Sequence, residues 1–195
     1  MRTVTYGAAC SLDGFIALAD GSMDWLHFSR DVQEVIARYW ATIDVMLMGR
    51  KTWEVATASA PAGGEEPSMA GITTYVFSRT LPSVGPGVHL VREDAGEFVR
   101  QLKEQPGKGI CVMGGGELAQ SLFAAGVIDE VGLNVHPIIL GSGIPFFRDP
   151  GRRISLRLTE ARVLDGGCVL MNYRVRGPAK AKSARRRAES AEAAG

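Results

Sequence analysis

The sequence predicts an α/β domain built on a mixed, mostly parallel sheet with helices on both faces. Two observations support this fold class. Short apolar or β-branched segments, typical of strands, alternate along the chain with segments of helical periodicity. Near the C-terminus the alternation stops, because two strand-like segments, residues 154–164 and 168–175, flank the turn Asp165-Gly166-Gly167. We therefore expect parallel strands followed by an antiparallel C-terminal hairpin.

The individual elements follow from local patterns. Six segments before the hairpin are predicted strands: residues 3–10, 44–48, 73–78, 88–91, 109–113 and 130–139. In the first predicted helix, Asp31 is a candidate N-cap with Glu34 three residues later, and an apolar stripe follows at Val32, Val35, Ile36, Tyr39 and Trp40. Further helices are expected at residues 51–57, 94–104 and 117–125, and residues 58–71 are expected to form an exposed loop.

Composition excludes several classes of protein. The chain has 195 residues, of which 46% are hydrophobic and 22% charged, as in an ordinary globular protein. No apolar run approaches the roughly 18 residues of a membrane span, and the first residues enter a strand pattern, so we expect a cytoplasmic protein without a membrane partner. Cys10, Cys111 and Cys168 lie far apart, which predicts buried free thiols instead of a disulfide framework or a metal site.

The charge is unevenly distributed between a body and a tail. Residues 1–176 are expected to form the domain, and residues 177–195 to form a basic, Ala- and Arg-rich tail without ordered structure. The tail has a net charge of +3, so the body carries about −2 of the total of +1. Because the body has no basic character, a nucleic-acid partner is the weakest interpretation, and the tail is best explained as a solubilising extension.

Three predicted strand ends carry residues suited to an anion. Residues 109–113 lead into Gly114-Gly115-Gly116 and then a helix start, where bare backbone and free N–H groups suit a phosphate. Gly49, Arg50, Lys51 and Thr52 follow a second strand, and Ser78 and Arg79 follow a third. A glycine triplet alone is as typical of a turn that binds nothing. Three such strand ends together predict a nucleotide site.

The glycine triplet also fits the dinucleotide fingerprint G-x-G-x-x-A through Gly114, Gly116 and Ala119. That fingerprint normally follows the first strand of its unit and is answered by an acidic residue about 20 positions later. Here it lies past the middle of the chain, and the corresponding position is His136. A standard Rossmann domain is therefore disfavoured, while Arg50 and Arg79 favour the 2′-phosphate of NADPH over NADH.

At this point the motifs resemble a known family. Residues 48–54 (MGRKTWE) and 112–116 (VMGGG) resemble the two cofactor motifs of dihydrofolate reductases, in the same order. Residues 11–17 (SLDGFIA) and 136–147 (HPIILGSGIPFF) more closely resemble the C-terminal reductase domain of bacterial riboflavin biosynthesis enzymes and its stand-alone relatives. The resemblance covers residues 3–176. It implies a dihydrofolate reductase-like fold with an eight-stranded sheet, and a homodimer.

The resemblance also implies a cofactor and the residues that hold it. NADPH phosphates would contact Gly49, Arg50, Lys51 and Thr52, and the adenosine 2′-phosphate side would contact Ser78 and Arg79. The pyrophosphate and nicotinamide side would fall to Gly114, Gly115, Gly116, Glu117 and Leu118. The expected chemistry is hydride transfer to a C=N or C=O bond of a small pterin-like or pyrimidine-like substrate.

The carboxylate of the first helix is where the chain departs from dihydrofolate reductases. In those enzymes a carboxylate on the first helix contacts the pterin. The equivalent position here is Gln33 when counted without gaps from the Met-Gly-Arg motif, and Arg30 when counted from Trp25. Neither residue is acidic. Asp31 lies between them and is a catalytic candidate, although a helix N-cap is the more common role for an aspartate at such a position. Asp13, in the S-L-D-G motif, is the second catalytic candidate, with a turn-forming Asp-Gly pair as its alternative.

The remaining candidates concern the substrate. Trp25 and Phe28 are candidates for an apolar wall beside a flat ring, with Asp24 at the same mouth. Aromatic residues at this spacing more often belong simply to the core. His136 is expected to be structural. The missing helix carboxylate keeps a second interpretation open, in which the chain is a nucleotide-binding module of the same fold without turnover.

Overall fold

The computed structural model describes residues 1–58 and 71–177. The predicted loop at 58–71 and the predicted tail therefore lie almost wholly outside the described residues. No helix within the described ranges is long and apolar enough to cross a membrane.

The described residues form ten strands and four helices, and the elements that were predicted follow one another in the predicted order. The strands are β1 Val4–Ser11, β2 Phe15–Ala17, β3 Ile43–Gly49, β4 Thr73–Phe77, β5 Val88–Val91, β6 Gly109–Met113, β7 Glu130–His136, β8 Ile144–Pro145, β9 Leu156–Val163 and β10 Val169–Val175. The helices are α1 Arg30–Ala41, α2 Arg50–Ala58, α3 Ala95–Glu104 and α4 Gly116–Ala124. The eight strands predicted from the sequence are all present.

The main sheet has eight strands in the order β5-β4-β3-β6-β1-β7-β10-β9. The first six are mutually parallel, and β10 is antiparallel to both of its neighbours. The predicted mixed, mostly parallel sheet with a C-terminal hairpin is confirmed. Because parallel strands end at one edge, the segments that follow β1, β3, β4, β6 and β7 meet there. We call this the carboxyl edge.

Helices cover both faces of the sheet, as the apolar strands require. On β3, Val45 and Leu47 belong to one core cluster, which includes side chains from α3 and α4. The alternate residues Met46 and Met48 belong to another cluster, with Trp53 of α2. Successive side chains of a strand point to opposite faces, so a strand that is apolar throughout must be buried on both.

The start of α1 differs from the prediction. Its N-cap is Ser29, not Asp31, and no side chain caps the first turn. Glu34 is bonded to Arg30 at 3.2 Å instead of completing a capping box. Of the predicted apolar stripe, only Val32 is fully buried, while Ile36 is 36% exposed. The carboxylate of Asp31 is bonded to other partners, as described below.

Two short strands were not predicted. β2 and β8 pair with each other in a separate two-stranded sheet. Three-residue and two-residue strands have too little periodicity to recognise, and their partners are more than 120 positions apart. β7 also ends earlier than predicted, at His136, because Pro137 has no N–H to continue the ladder. The pairing of β2 with β8 joins the segment after β1 to the segment after β7.

Candidate active site

The three predicted cofactor motifs lie side by side at the carboxyl edge. β3 is hydrogen-bonded to β4 on one side and to β6 on the other. In register, Met48 is opposite Met113, and Gly49 is opposite Phe77. Neighbouring strands are about 4.8 Å apart, so the segments beginning at residues 49, 78 and 114 are adjacent. Segments far apart in sequence thus form one surface.

Thr52 and the glycine triplet are in direct contact. The amide of Gly115 donates a hydrogen bond to Thr52 Oγ1 at 3.1 Å. Gly114 has a φ of +80°, and a Cβ on it would lie 2.3 Å from that same oxygen. Glycine is therefore needed at position 114 for two reasons: the positive φ disfavours other residues, and a Cβ would clash with the hydroxyl of Thr52.

The other two glycines differ in what surrounds them. A Cβ on Gly116 would lie 2.8 Å from Arg148 Cγ and 3.3 Å from the carbonyl oxygen of Phe146. At Gly115 the nearest atom would be Thr52 Oγ1, at 3.6 Å. The sequence suggested that all three glycines make room for a ligand. In the structure, Gly114 and Gly116 make room for protein atoms, and Gly115 leaves space beside the helix start.

The N-terminus of α4 offers free donors. Its N-cap is Gly115, and no side chain of the described residues caps the first turn. The first amides of a helix lack intrahelical acceptors and lie at the positive end of the helix dipole. The side chain of Leu118 is only 8% exposed and belongs to the core, so it is not available to a ligand. This terminus has the donors and the polarity that a phosphate requires.

Carboxylates hold the cations of this surface. Arg50 Nη1 lies 2.7 and 2.9 Å from the two carboxylate oxygens of Glu54. Lys51 Nζ lies 2.9 Å from Glu117 Oε1, and this contact is the main cause that lowers the pKa of Glu117. Both ion pairs are exposed, and such pairs contribute only about 0–1 kcal/mol. An incoming phosphate can therefore replace the carboxylates at little cost.

Ser78 and Arg79 differ in availability. Ser78 Oγ accepts hydrogen bonds from the amides of Leu81 at 3.0 Å and Thr80 at 3.2 Å, so it stabilises the turn after β4. The side chain of Arg79 is exposed and forms no hydrogen bond or ion pair with the described residues. Arg79 can therefore offer its charge to a ligand, whereas the hydroxyl of Ser78 is already bonded to the turn.

Arg92 is a residue that the sequence reasoning missed. It follows β5 and donates to the carbonyl oxygens of Arg79, Leu81 and Pro82 at 3.2, 2.6 and 3.2 Å. These bonds hold the loop that carries Arg79. The sequence did contain a signal for Arg92, because it is a cation that directly follows a fourth parallel strand, β5.

Asp13 joins two loops of the carboxyl edge. Its carboxylate accepts from Ser11 Oγ at 2.6 Å, from the amide of Leu140 at 3.1 Å and from the amide of Gly141 at 2.7 Å. These hydrogen bonds, that of Ser11 foremost, lower the pKa of Asp13. A carboxylate that is ionised and bonded in this way is a poor proton donor. A catalytic role for Asp13 stays a prediction, and its contacts favour a structural one.

Asp31 has a similar arrangement. Its carboxylate accepts from Ser29 Oγ, from the amide of Val32 at 2.8 Å and from the amide of Asp165 at 2.8 Å. The hydrogen bond of Ser29 is the largest cause that lowers the pKa of Asp31. Asp31 thus ties α1 to the turn between β9 and β10. Its catalytic role also stays a prediction.

The predicted substrate residues are placed differently from one another. The indole ring of Trp25 packs edge-on against the imidazole ring of His136, with ring centres 5.4 Å apart. Phe28 is 55% exposed, and Asp24 is exposed. His136 is 2% exposed, in agreement with the expectation that it is structural. The predicted aromatic wall therefore has one fixed ring, that of Trp25.

A cavity of about 590 Å³ lies elsewhere, at the opposite edge of the sheet. Its lining includes Thr3, directly before β1, and the first residues of three other strands, Ile43, Gly109 and Glu130. None of the predicted cofactor or substrate residues contributes to its lining. It does not coincide with the surface described above.

Comparison with known proteins supports the resemblance noted from the motifs. The chain is 31% identical over 184 residues to the uncharacterized protein YyaP of Bacillus subtilis, covering 90% of this chain and 96% of YyaP. It is 34% identical over 174 residues to YwjB of the same organism, covering 88% of this chain and 97% of YwjB.

Solved structures show the same fold. A riboflavin biosynthesis candidate from Shewanella sp. PV-4 has a TM-score of 0.77 at 24% identity, covering 90% of this chain and all (100%) of that one. Dihydrofolate reductase from Enterococcus faecalis, complexed with NADP(H), has a TM-score of 0.65 at 18% identity, covering 90% and 97%.

An enzyme of Thermotoga maritima, named as a pyrimidine deaminase and uracil reductase, has a TM-score of 0.66 at 17% identity. The match covers 90% of this chain and 57% of the length of that enzyme. The model of the RibD C-terminal domain matches residues 2–170, which is nearly the whole described chain. By that match, and by its dihydrofolate reductase-like sheet, the chain belongs to the RibD C-terminal domain family.

Proposed function

We propose that the chain is an NADPH-dependent reductase that transfers hydride to a C=N or C=O bond of a small pterin-like or pyrimidine-like ring. The observation that carries this proposal is the meeting of three anion-suited strand ends, two of which are in contact through Thr52 and Gly115. The names of two proteins with the same fold, a dihydrofolate reductase complexed with NADP(H) and a uracil reductase, support the cofactor and the substrate class.

The residues of the carboxyl edge fit NADPH. The uncapped first turn of α4 would hold the pyrophosphate, with Arg50 and Lys51 released from their exposed ion pairs to neutralise it. Arg79 would contact the 2′-phosphate, because its guanidinium is exposed and lies after the neighbouring strand. Ser78 would act indirectly, by shaping the turn that carries Arg79.

The contribution of the protein is mainly positional. NADPH supplies the hydride when bound. The chain's own residues orient the cofactor, provide the aromatic ring of Trp25 beside the substrate and keep Asp13 and Asp31 ionised as loop anchors. With both carboxylates fully bonded, the proton of the reduction would come from solvent at the open edge.

A second function has one specific observation in its favour. Both candidate carboxylates are bonded to loop amides and have a lowered pKa, so neither is poised to donate a proton. A nucleotide-binding module of the same fold, without turnover, would have this arrangement. NADPH oxidation with any pterin, pyrimidine or dicarbonyl compound would contradict it.

Calorimetry with NADPH and NADH tests the leading proposal. The wild-type protein should bind NADPH more tightly, and Arg79→Ala should remove roughly 10- to 100-fold of that preference, the usual effect of losing a hydrogen bond to a charged group. Arg157→Ala, an exposed arginine on β9, is the matched control and should change neither affinity. Absence of binding of both nucleotides to the wild-type protein would overturn the proposal.

The C-terminal hairpin supports a homodimer as part of this proposal. Leu156, Leu158, Ala161 and Val163 of β9 are opposite Val175, Tyr173, Met171 and Val169 of β10. These β10 residues alternate, so all eight side chains share one face. Leu158 is 53% and Val163 75% exposed. β9 is moreover the edge strand, and exposed apolar edge strands favour association.

An apolar groove of about 250 Å³ adjoins this face, between Phe147 and Leu156. A second copy of the chain would cover both the groove and the hairpin. Sedimentation of the wild-type protein should give a dimer, and Val163→Lys should shift it to a monomer. Arg157→Ala serves again as the control. A wild-type monomer at micromolar concentration would overturn the homodimer.

A further inference from the structure

His136 has a hydrogen-bond network that fixes its proton. Nδ1 accepts from the backbone amide of His27 at 3.4 Å and lies 3.5 Å from Cys168 Sγ. A backbone N–H can only donate, so Nδ1 carries no proton. Burial, and secondarily the neighbouring His27, lowers the pKa of His136 and keeps the ring neutral. The single ring proton of His136 is therefore on Nε2.

That proton decides the orientation of a neighbouring amide. Asn134, two residues earlier on β7, is placed with Nδ2 3.5 Å from Nε2 of His136. In this orientation the N–H groups of Asn134 Nδ2 and His136 Nε2 would point at each other, with no acceptor between them. The amide oxygen of Asn134 is meanwhile buried without a partner among the described residues. Rotating the amide by half a turn gives Nε2–H an acceptor. The NH₂ group of Asn134 then occupies the position without a partner.

Trp25 provides a second donor against the same imidazole ring. Its ring is nearly perpendicular to that of His136, at 88°, and its Nε1 is buried with no partner in residues 1–58 and 71–177. A buried donor without an acceptor costs about 1–3 kcal/mol. The cluster thus presents two unsatisfied donors and no acceptor, and such groups call for an explanation.

Trp25 and Asn134 both lie near the C-terminal end of β7, at the carboxyl edge. In register, Asn134 is opposite Ala9 of β1, the strand next to β6 and its glycine triplet. Trp25 lies in the segment between β2 and α1. We propose that Trp25 Nε1 and Asn134 Nδ2 form a two-donor subsite for a carbonyl oxygen of the substrate ring, with His136 as the residue that positions both. This inference rests on the proposed reductase function and narrows its substrates to rings that carry a carbonyl group.

The proton on His136 is tested without any ligand. Long-range ¹H–¹⁵N correlation spectra of the labelled full chain near pH 7 should show His136 protonated at Nε2 and unprotonated at Nδ1. Asn134→Asp, which keeps an acceptor for Nε2–H, should preserve this pattern. Protonation at Nδ1 would overturn the assignment of the Asn134 amide, and with it the two-donor subsite.

The subsite is tested with two probes that share a ring and an amine. 5-Aminouracil has carbonyl oxygens and 5-aminopyrimidine has none, and calorimetry in the presence of NADPH compares their affinities. The wild-type protein should prefer 5-aminouracil about tenfold or more, because buried donors reject a ligand without the matching acceptor. Trp25→Phe removes one donor, and Asn134→Asp replaces the other with an acceptor. Each should abolish most of the preference.

Matched controls separate the subsite from general effects. Trp40→Phe and Asn172→Asp make the same chemical changes away from the cluster and should keep the wild-type preference. Equal binding of both probes, no binding of either, or an unchanged preference in the variants would overturn the subsite and leave ordered water as its occupant. Failure of NADPH binding would instead contradict the reductase, while the spectra would still test the donor pair.

Discussion

The hydroxyl of Thr52 accepts a hydrogen bond from the amide of Gly115, 63 residues further along the chain. This bond joins the motif that follows β3 to the motif that follows β6. A Cβ on Gly114 would lie against the same hydroxyl. The two motifs are therefore bonded to each other before any ligand arrives, and such preorganisation reduces the ordering cost of binding.

Thr52→Val should weaken NADPH binding by roughly 5- to 30-fold, because it leaves the amide of Gly115 without its acceptor and loosens the turn. Thr52→Ser, which keeps the oxygen, should restore most of the affinity. The measurement is calorimetry with NADPH. Thr57→Val removes a hydroxyl bonded within α2 and is the matched control. Equal affinities for Thr52→Val and Thr57→Val would contradict a role for the contact.

Gly114→Ala should destabilise the fold by roughly 2–4 kcal/mol, because positive-φ strain of about 1–2 kcal/mol is added to a steric clash with Thr52. Gly126→Ala is the control, because Gly126 also has a positive φ but a Cβ there meets nothing within 4 Å. Urea unfolding should show the smaller loss for Gly126→Ala. If Gly114→Ala and Gly126→Ala are equally stable, the side chain of Thr52 moves away from the added methyl group without cost, and the predicted clash is contradicted.

Lys103→Met should lower the free energy of unfolding by roughly 1–3 kcal/mol. Lys103 is buried, and its ammonium donates to Asp129 Oδ2 at 2.6 Å and to the carbonyl of Val127 at 3.1 Å. The same carboxylate oxygen accepts from the amide of Val4, so this contact anchors the start of β1. Lys108→Met, at an exposed lysine, should change stability by less than about 0.5 kcal/mol. Equal effects of the two substitutions on stability would contradict a role of Lys103 in anchoring the start of β1.

Asp13→Asn should destabilise the protein near neutral pH and lose its effect in acid. The folded state lowers the pKa of Asp13 below its ordinary value of 3.8. A carboxyl group with a depressed pKa stabilises the fold fully above its unfolded value, and this contribution disappears as the pH falls through the folded value. Thermal unfolding at a series of pH values measures the difference between wild type and variant. A difference between wild type and Asp13→Asn that stays constant over the pH series would contradict the mechanism.

Much of the fold was predictable because its signals are local. Strands buried on both faces must be apolar throughout, so β3 and β6 stand out in the sequence, and glycine and cations directly after them mark the strand ends. Asp94 was predicted to begin a helix and is the N-cap of α3, bonded to the amide of Glu97. Each of these features depends on residues within one or two turns of chain.

The carboxylates and glycines show where local reasoning ends. Asp31 followed by Glu34 has the pattern of a capping box, but the amide of Asp165, 134 residues away, holds its carboxylate. Gly116 was predicted to face a ligand, but a Cβ there would meet Arg148. Each alternative partner comes from a distant segment, which no pattern around the residue encodes.

The sequence by itself determined the order of elements, the mixed sheet and the three motifs of the carboxyl edge, because periodicity and glycine or cation placement act over a few residues. Only the tertiary structure decided which groups at that edge lack a partner within residues 1–58 and 71–177, namely the side chain of Arg79 and the first turn of α4. Asp13, Asp31 and Ser78 are already bonded. It also brought Trp25, Asn134 and His136 together. Whether a polar group is satisfied depends on every segment that packs against it, and that is settled only when the chain has folded.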